Sequence, residues 1–235
     1  MEKFGLGVYT LTQAARLVHT DRASIKRWLF GYDYKHTRAQ AEPRRYHSDP
    51  LWTPQYAEDE LGEKVIGFQD LLEVRIVREF VQHGVPLLVI RRCLEVARRE
   101  FQMDDYPLST QRFSTDGRTI FREVLREGHE SEILDLRNRQ YVIKDIIKPS
   151  LYAGIDYEAG VAKRWYPQGK DRRTIVIDPD LQFGKPTVRD AGIPTETLYA
   201  SYLAEGKDKA AVARIYELPT RQVDAAIRFE ERLAA

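Results

Sequence analysis

The stretch TLTQAARLVHTDRASIKRWLFG, residues 10–31, constrains the fold most because it contains two helix-start signals close together. Thr10 and Gln13 have the spacing of a capping box, in which each side chain satisfies a free backbone N–H of the other residue. Asp21 is placed to cap a second helix. The spacing therefore predicts two short helices joined by a tight turn.

The second of these helices is basic on the side away from its apolar face, which Ile25 and Trp28 form at helical spacing. Residues 1–45 contain nine Lys and Arg against four Asp and Glu, although the net charge of the whole chain is only +1. Basic side chains bind phosphates and guanine edges, and serine can donate or accept beside them. The pattern indicates a helix-turn-helix that binds DNA, and the alternative is a solvated charged helix in an unrelated small domain. The candidate DNA-contacting residues are Thr12, Arg22, Ser24, Lys26 and Arg27.

Two further helices are predicted between residues 66 and 101. Apolar residues recur at helical spacing in the first of them, at Leu71, Val74, Val77 and Val81. A glycine at position 84 then favours a helix end, and a proline at position 86 fits the start of the next helix.

Residues 9–101 resemble the DNA-binding domain of the MerR family of winged-helix regulators. The resemblance rests on the paired alanines at 14 and 15, on Lys26 and Trp28, and on the run GFQDLLEVRIVREFVQHGVPLLVIR. It implies that the second helix enters the major groove and that a wing touches the DNA backbone. The sequence departs from the family at the turn, where His19 and Thr20 replace the usual Gly-Val, and in the unusual length of the wing segment.

That wing segment, residues 32–65, is basic at Arg38, Arg44 and Arg45 and is punctuated by prolines. A functional interpretation is a wing whose arginines, Arg44 and Arg45 in particular, bind phosphates. The alternative is a loop without a binding role.

Residues 102–174 predict a small sheet. The Asp116-Gly117 pair suits a type I′ turn and predicts a hairpin within QRFSTDGRTIFREV. Further strands are predicted at 141–147, 160–167 and 174–180. Such a sheet is either a connector or a dimerisation platform, and the sequence leaves both open.

Residues 175–235 predict a three-helix unit of helix-turn-helix shape. One helix begins at Pro194-Thr195 and ends at Gly206, a second is capped by Asp208, and a third follows Pro219. The inward-facing positions of the third helix are Val223, Ala226, Ile227 and Leu233.

Residues 175–230 resemble a small domain, first catalogued as of unknown function, that recurs in VapB-type antitoxins. The positions that carry the resemblance are Pro179, Gly184, Pro186, Arg189, Ile193-Pro194, Gly206 and the run LPTRQVDAAI. A departure is RDAGIP, which lacks the second basic residue usual before Ile-Pro. The resemblance implies a partner toxin related to PIN-domain ribonucleases, whose active site is a cluster of acids. Arg228 and Arg232 on the last helix are candidates to contact that toxin.

Catalytic and cofactor chemistry is not indicated. The single cysteine, Cys93, excludes an internal disulfide and is expected to be a small buried hydrophobic residue. Asp178 and Asp180 lie in an Asp-Pro context that favours turn formation. No nucleophile motif, phosphate-binding loop or zinc spacing is present, so we expect no enzyme activity, metal or cofactor. The absence of an apolar run long enough for a membrane span or signal peptide predicts a cytoplasmic protein.

The sequence thus predicts a mainly α fold with a small β component in three parts: a MerR-like winged helix-turn-helix at 1–101, a β-rich connector or dimerisation region at 102–174, and an antitoxin-associated helical domain at 175–235. The predicted function is an antitoxin that neutralises a PIN-like ribonuclease toxin and represses its own operon as a homodimer. The alternative is a MerR-like regulator that responds to a small-molecule effector.

Overall fold

The computed structural model describes residues 6–36, 44–57, 62–103, 105–128, 151–169 and 171–234. Within these residues the chain is mainly helical, with short antiparallel sheets between the helices. The predicted mainly α composition with a small β component is confirmed.

The first two helices begin at the predicted caps. The Gln13 N–H donates to Thr10 Oγ1 at 3.2 Å, and the Thr10 N–H donates to Gln13 Oε1 at 2.9 Å, which completes the capping box. Asp21 accepts a 2.8 Å hydrogen bond from the Ser24 N–H at the start of the second helix. The elements of this region are β1 (Tyr9–Thr10), α1 (Leu11–Val18) and α2 (Arg22–Phe30).

Two left-handed residues set the turns around α2. His19 has a φ of 52° after α1, a conformation in which glycine is the usual residue. Gly31 ends α2 with a φ of 70°, and a Cβ atom there would lie 2.7 Å from the carbonyl oxygen of Ser48. Gly31 therefore allows the chain to pass from α2 directly into the next strand.

An antiparallel hairpin follows α2, in the segment that the sequence assigns to a wing. Strand β2 (Tyr32–His36) pairs with β3 (Arg44–Ser48), so that Tyr34 lies opposite Tyr46. Arg38 lies outside the described residues.

The two helices predicted between residues 66 and 101 are present as α3 (Phe68–Gln82) and α4 (Leu87–Phe101), and β4 (Val65–Ile66) precedes them and pairs with β1. The apolar stripe of α3 is buried as far as Val77. Val81, in the last turn, is 38% exposed, so the stripe does not extend to that residue.

The hairpin predicted around Asp116-Gly117 is wrong, because these residues lie inside α5 (Gln111–Glu127). Apolar residues at helical spacing from Phe113 to Val124 are buried against α3 and α4. The Phe113 ring lies 6.5 Å from that of Phe80, centroid to centroid. The periodic burial of the helix overrides the local turn preference of Asp-Gly.

Two small antiparallel sheets follow. Strands β5 (Ile155–Glu158) and β6 (Val161–Trp165) pair as a hairpin. In a three-stranded sheet, β8 (Thr187–Val188) lies between β7 (Ile175–Val176) and β9 (Ile193–Pro194). Strands are thus present within the predicted segments 160–167 and 174–180, whereas the strand predicted at 141–147 lies outside the described residues.

All three C-terminal helices are present near their predicted bounds. Asp208 caps the second of them by accepting hydrogen bonds from the N–H groups of Ala210 and Ala211. Val223 on the last helix is fully buried, whereas Leu233 is partly buried. The helices are α6 (Thr195–Ala204), α7 (Lys209–Ile215) and α8 (Thr220–Ala234).

A single apolar core connects the N-terminal helices, the sheets and the C-terminal helices. Helix α1 packs against α8, and the Arg16 Nε donates a 3.2 Å hydrogen bond to the carbonyl oxygen of Leu233. The first and last helices of the described chain are therefore direct neighbours.

Candidate nucleic-acid interface and the arginine cavity

Helix α2 has a buried side and an exposed basic side. Ile25 and Leu29 are completely buried and Trp28 is 5% exposed, which fixes the helix against the core. The three predicted cations of this helix, Arg22, Lys26 and Arg27, are all exposed. Burial on one side thus leaves these cations free to approach a polyanion.

A hydrogen-bond network orders the start of this basic side. Ser24 Oγ donates to Asp21 at 2.7 Å and accepts a 3.1 Å hydrogen bond from Arg27 Nη2. The hydrogen bonds from the Ser24 hydroxyl and backbone N–H lower the pKa of Asp21. Ser24 therefore orients the Arg27 guanidinium, a positioning role that the sequence alone does not reveal.

The remaining predicted DNA contacts lie on neighbouring elements. Thr12 is exposed in the first turn of α1. Arg44 and Arg45 belong to β3, where the strand register pairs them with His36 and Lys35 of β2. Their backbone positions place them on the hairpin that follows α2.

The same hairpin carries an aromatic group that the sequence analysis missed. The rings of Tyr34 and Tyr46 stack with centroids 5.7 Å apart, and Tyr32 lies 5.8 Å from Tyr34. Tyr34 and Tyr46 are 42% and 45% exposed. The sequence contains a signal for this group, since both tyrosines alternate with polar residues within the predicted wing segment.

The two predicted toxin-contacting residues lie in different environments. Arg228 is exposed, and its Nε lies 2.9 Å from Asp224, one turn earlier in α8. Arg232 lies at the edge of a cavity that also contains His19, the turn residue after α1. The structure thus places Arg232 beside the N-terminal helices, while Arg228 is paired on the surface.

This cavity, with a volume of about 340 Å³, lies between α1, α3, the loop after β6, and α8. Its basic lining residues come from all four regions, and its apolar wall includes Trp165 and Phe229. Its basic lining residues are His19, Arg75, Arg78, Arg172 and Arg232.

Asp178 is buried, accepts the Asp180 N–H at 3.0 Å and lies 3.3 Å from Arg164 Nε, so it orders a turn. In the described parts of the chain, no group of three or more His, Cys, Asp or Glu side chains is placed to hold a metal ion. Among the helices within those same ranges, none is both long and apolar enough to cross a membrane.

The fold resembles one solved by crystallography. The X-ray crystal structure of Rv2018 from Mycobacterium tuberculosis matches with a TM-score of 0.68 and 21% sequence identity, covering 96% of this chain and 100% of that chain. The two chains therefore share their overall fold.

Two sequence comparisons give matches, one to a protein family and one to an individual protein. Residues 175–229 match a family described as a protein of unknown function, DUF433. The curated protein named "Putative antitoxin VapB45" of Mycobacterium tuberculosis (strain ATCC 25618 / H37Rv) is 26% identical over 200 residues, which span 81% of this chain and 80% of that protein. The chain is thus similar to an antitoxin-like protein well beyond its C-terminal helices.

Proposed function

We propose that this chain is the antitoxin of a type II toxin–antitoxin system, which binds and neutralises a PIN-like ribonuclease toxin and represses its own operon. The observation that carries the proposal is the similarity to a protein named as a VapB antitoxin over most of both chains. A match limited to residues 175–229 would support only a shared C-terminal module.

The DNA-binding part of the proposal is supported by the exposed basic side of α2. Lys26 and Arg27 extend from a helix whose other side is buried, the arrangement that a helix inserted into a major groove requires. The hairpin beside it is a candidate for backbone contacts. One such unit reads a half-site, so we propose a homodimer on DNA, testable by light scattering at operator-binding concentrations.

No enzymatic activity, metal or cofactor is part of the proposed function, and the proposed location is the cytoplasm. Toxin neutralisation would place a basic side chain among the acids of the toxin active site. Arg228 and Arg232 remain the candidates.

The test is a growth assay in which the adjacent open reading frame is expressed alone and together with this chain. We expect growth arrest by the neighbour alone and recovery on co-expression. Growth unaffected by the neighbour would refute the antitoxin function and favour an effector-responsive regulator.

A further inference from the structure

The arginines of the cavity have few ionic partners. Among the described residues, the ion pairs of the five basic lining residues are limited to Arg78 Nη1 with Glu79, at 3.1 Å. The described residues of the lining include no carboxylate. The cavity is therefore positively charged, and Glu79 is the acid that forms an ion pair with one of its described arginines.

The two inner arginines of the cavity, Arg75 and Arg78, are fixed in position, and donor capacity remains unused. Arg75 Nη1 donates to the carbonyl oxygen of Leu151, and its guanidinium lies 5.1 Å from the centre of the Trp165 ring. Arg78 Nε is buried and has no hydrogen-bond partner in the described part of the chain. A buried N–H without a partner costs free energy.

The outer residues add charge at the opening. Arg172 and Arg232 are exposed and come from the loop after β6 and from α8. His19, also exposed, lies beside them. Partial burial, and after it the nearby positive charges of Arg78 and Arg232, lower the pKa of His19.

Apart from Gln168, the rest of the lining is apolar. Leu17, Trp165 and Phe229 form walls against which a planar or apolar group can pack. A volume of about 340 Å³ lies within the range of small-molecule sites. Guanidinium groups match phosphate oxygens in bidentate geometry. The arginines thus complement the charged group of an amphiphilic anion, and the apolar walls complement its other part.

We propose that this cavity binds a small phosphorylated molecule with a planar aromatic part, such as a nucleoside monophosphate, between the N-terminal helices and α8. The phosphate group lies among the arginines and the planar part lies against the apolar wall. The site does not require operator binding, and it shares Arg232 with the candidate toxin contacts.

The test is isothermal titration calorimetry of the full chain with AMP, adenosine and inorganic phosphate. We expect saturable binding of AMP, weaker binding of phosphate and none of adenosine. Arg172→Gln/Arg232→Gln, which changes two exposed residues, is expected to weaken AMP binding by about tenfold or more. The matched control is Arg214→Gln/Arg221→Gln, which removes two exposed charges outside the cavity and should leave AMP affinity unchanged.

A second readout is the pKa of His19, measured by NMR with His19→Asn as the assignment variant. Saturation with AMP should raise this pKa, because the bound phosphate offsets the neighbouring positive charge. Absence of saturable AMP binding would overturn the proposal. An equal loss of AMP affinity in both double variants would also overturn the proposal. So would a cavity variant that loses duplex DNA binding but keeps AMP binding, because that result would identify the arginines as a contact to the DNA backbone.

Discussion

The Tyr9 hydroxyl donates a 2.8 Å hydrogen bond to the carbonyl oxygen of Gly184, and both groups are buried. Next to it, the Val8 N–H donates to the carbonyl oxygen of Phe183 at 3.1 Å. These bonds fasten the strand before α1 to the loop before β8. The N-terminal and C-terminal regions are therefore joined by specific polar contacts as well as by apolar packing.

The contact at Gly184 tolerates no side chain. Gly184 has a φ of 82°, and a Cβ atom there would lie 2.2 Å from Tyr9 Oη. We expect Gly184→Ala to lower the free energy of unfolding by about 3 kcal/mol, through backbone strain and displacement of Tyr9. Urea denaturation measures the change. Gly160→Ala is the matched control, since Gly160 also has a φ of 82° but nothing within 4 Å of the added Cβ atom. An equal loss in both variants would show that the Tyr9 contact contributes nothing.

The exposed cations of α2 give a prediction for DNA binding. Lys26→Ala and Arg27→Ala should each weaken binding to operator DNA and reduce the slope of log affinity against log salt concentration by about 1, because each lost cation leaves a counterion on the phosphates. Electrophoretic mobility shifts at several salt concentrations measure both quantities. Arg221→Ala, an exposed arginine on α8, is the control. Unchanged slopes in both α2 variants would exclude these residues from the interface.

A buried carboxyl group makes stability depend on pH. Glu73 is completely buried on α3 and accepts the Ser109 N–H at 2.7 Å, and burial raises its pKa to about 8. Between its ordinary pKa and this value, the folded state holds a proton that the unfolded state has lost, so stability falls as pH rises. From pH 6.5 to 8, the loss from Glu73 should be about 2 kcal/mol.

Urea denaturation at pH 6.5 and 8 checks this prediction, with Glu73→Gln expected to remove most of the slope. Asp70, whose pKa burial raises to about 6, has little effect in this range because it titrates mainly below it. Glu95→Gln, an exposed change on α4, should keep the slope of the parent protein. A slope that persists in Glu73→Gln would assign the pH dependence to another group.

The thiol of the single cysteine should be unreactive in the native state. Cys93 is completely buried, as the sequence predicted, and burial raises the pKa of its thiol, which disfavours the reactive thiolate. We expect Ellman's reagent to modify it only after denaturation. Glu95→Cys, two residues further along the same helix, should add one thiol that reacts at once. Rapid modification of Cys93 in the parent protein would contradict its burial.

Local signals in the sequence were enough to locate the elements that begin with a cap or end at a glycine. The Thr10–Gln13 capping box and the Asp21 and Asp208 caps are determined within three residues of each helix start, so no tertiary contact is needed to predict them. Helix α5 shows the limit of such signals. Its Asp-Gly pair favours a turn locally, and only packing against Phe80 reveals why Gly117 lies in a helix.

The arginine cavity could not be predicted in the same way. Arg75 and Arg78 form part of a helical pattern in which long cations look like an ordinary solvated face. Their significance depends on Arg172 and Arg232, which the fold brings to the same cavity from distant parts of the chain. The DNA-binding candidates on α2 differ, since their spacing within one helix already separates the buried side from the exposed side.

The packing of α1 against α8 has a consequence for synthesis of the protein. The Arg16–Leu233 hydrogen bond joins residues 217 positions apart. During translation, the side of α1 that meets α8 cannot be covered until α8 has left the ribosome. A chain interrupted before α8 would present that surface to proteases and chaperones, so the N-terminal helices reach their protected form only after α8 has been made.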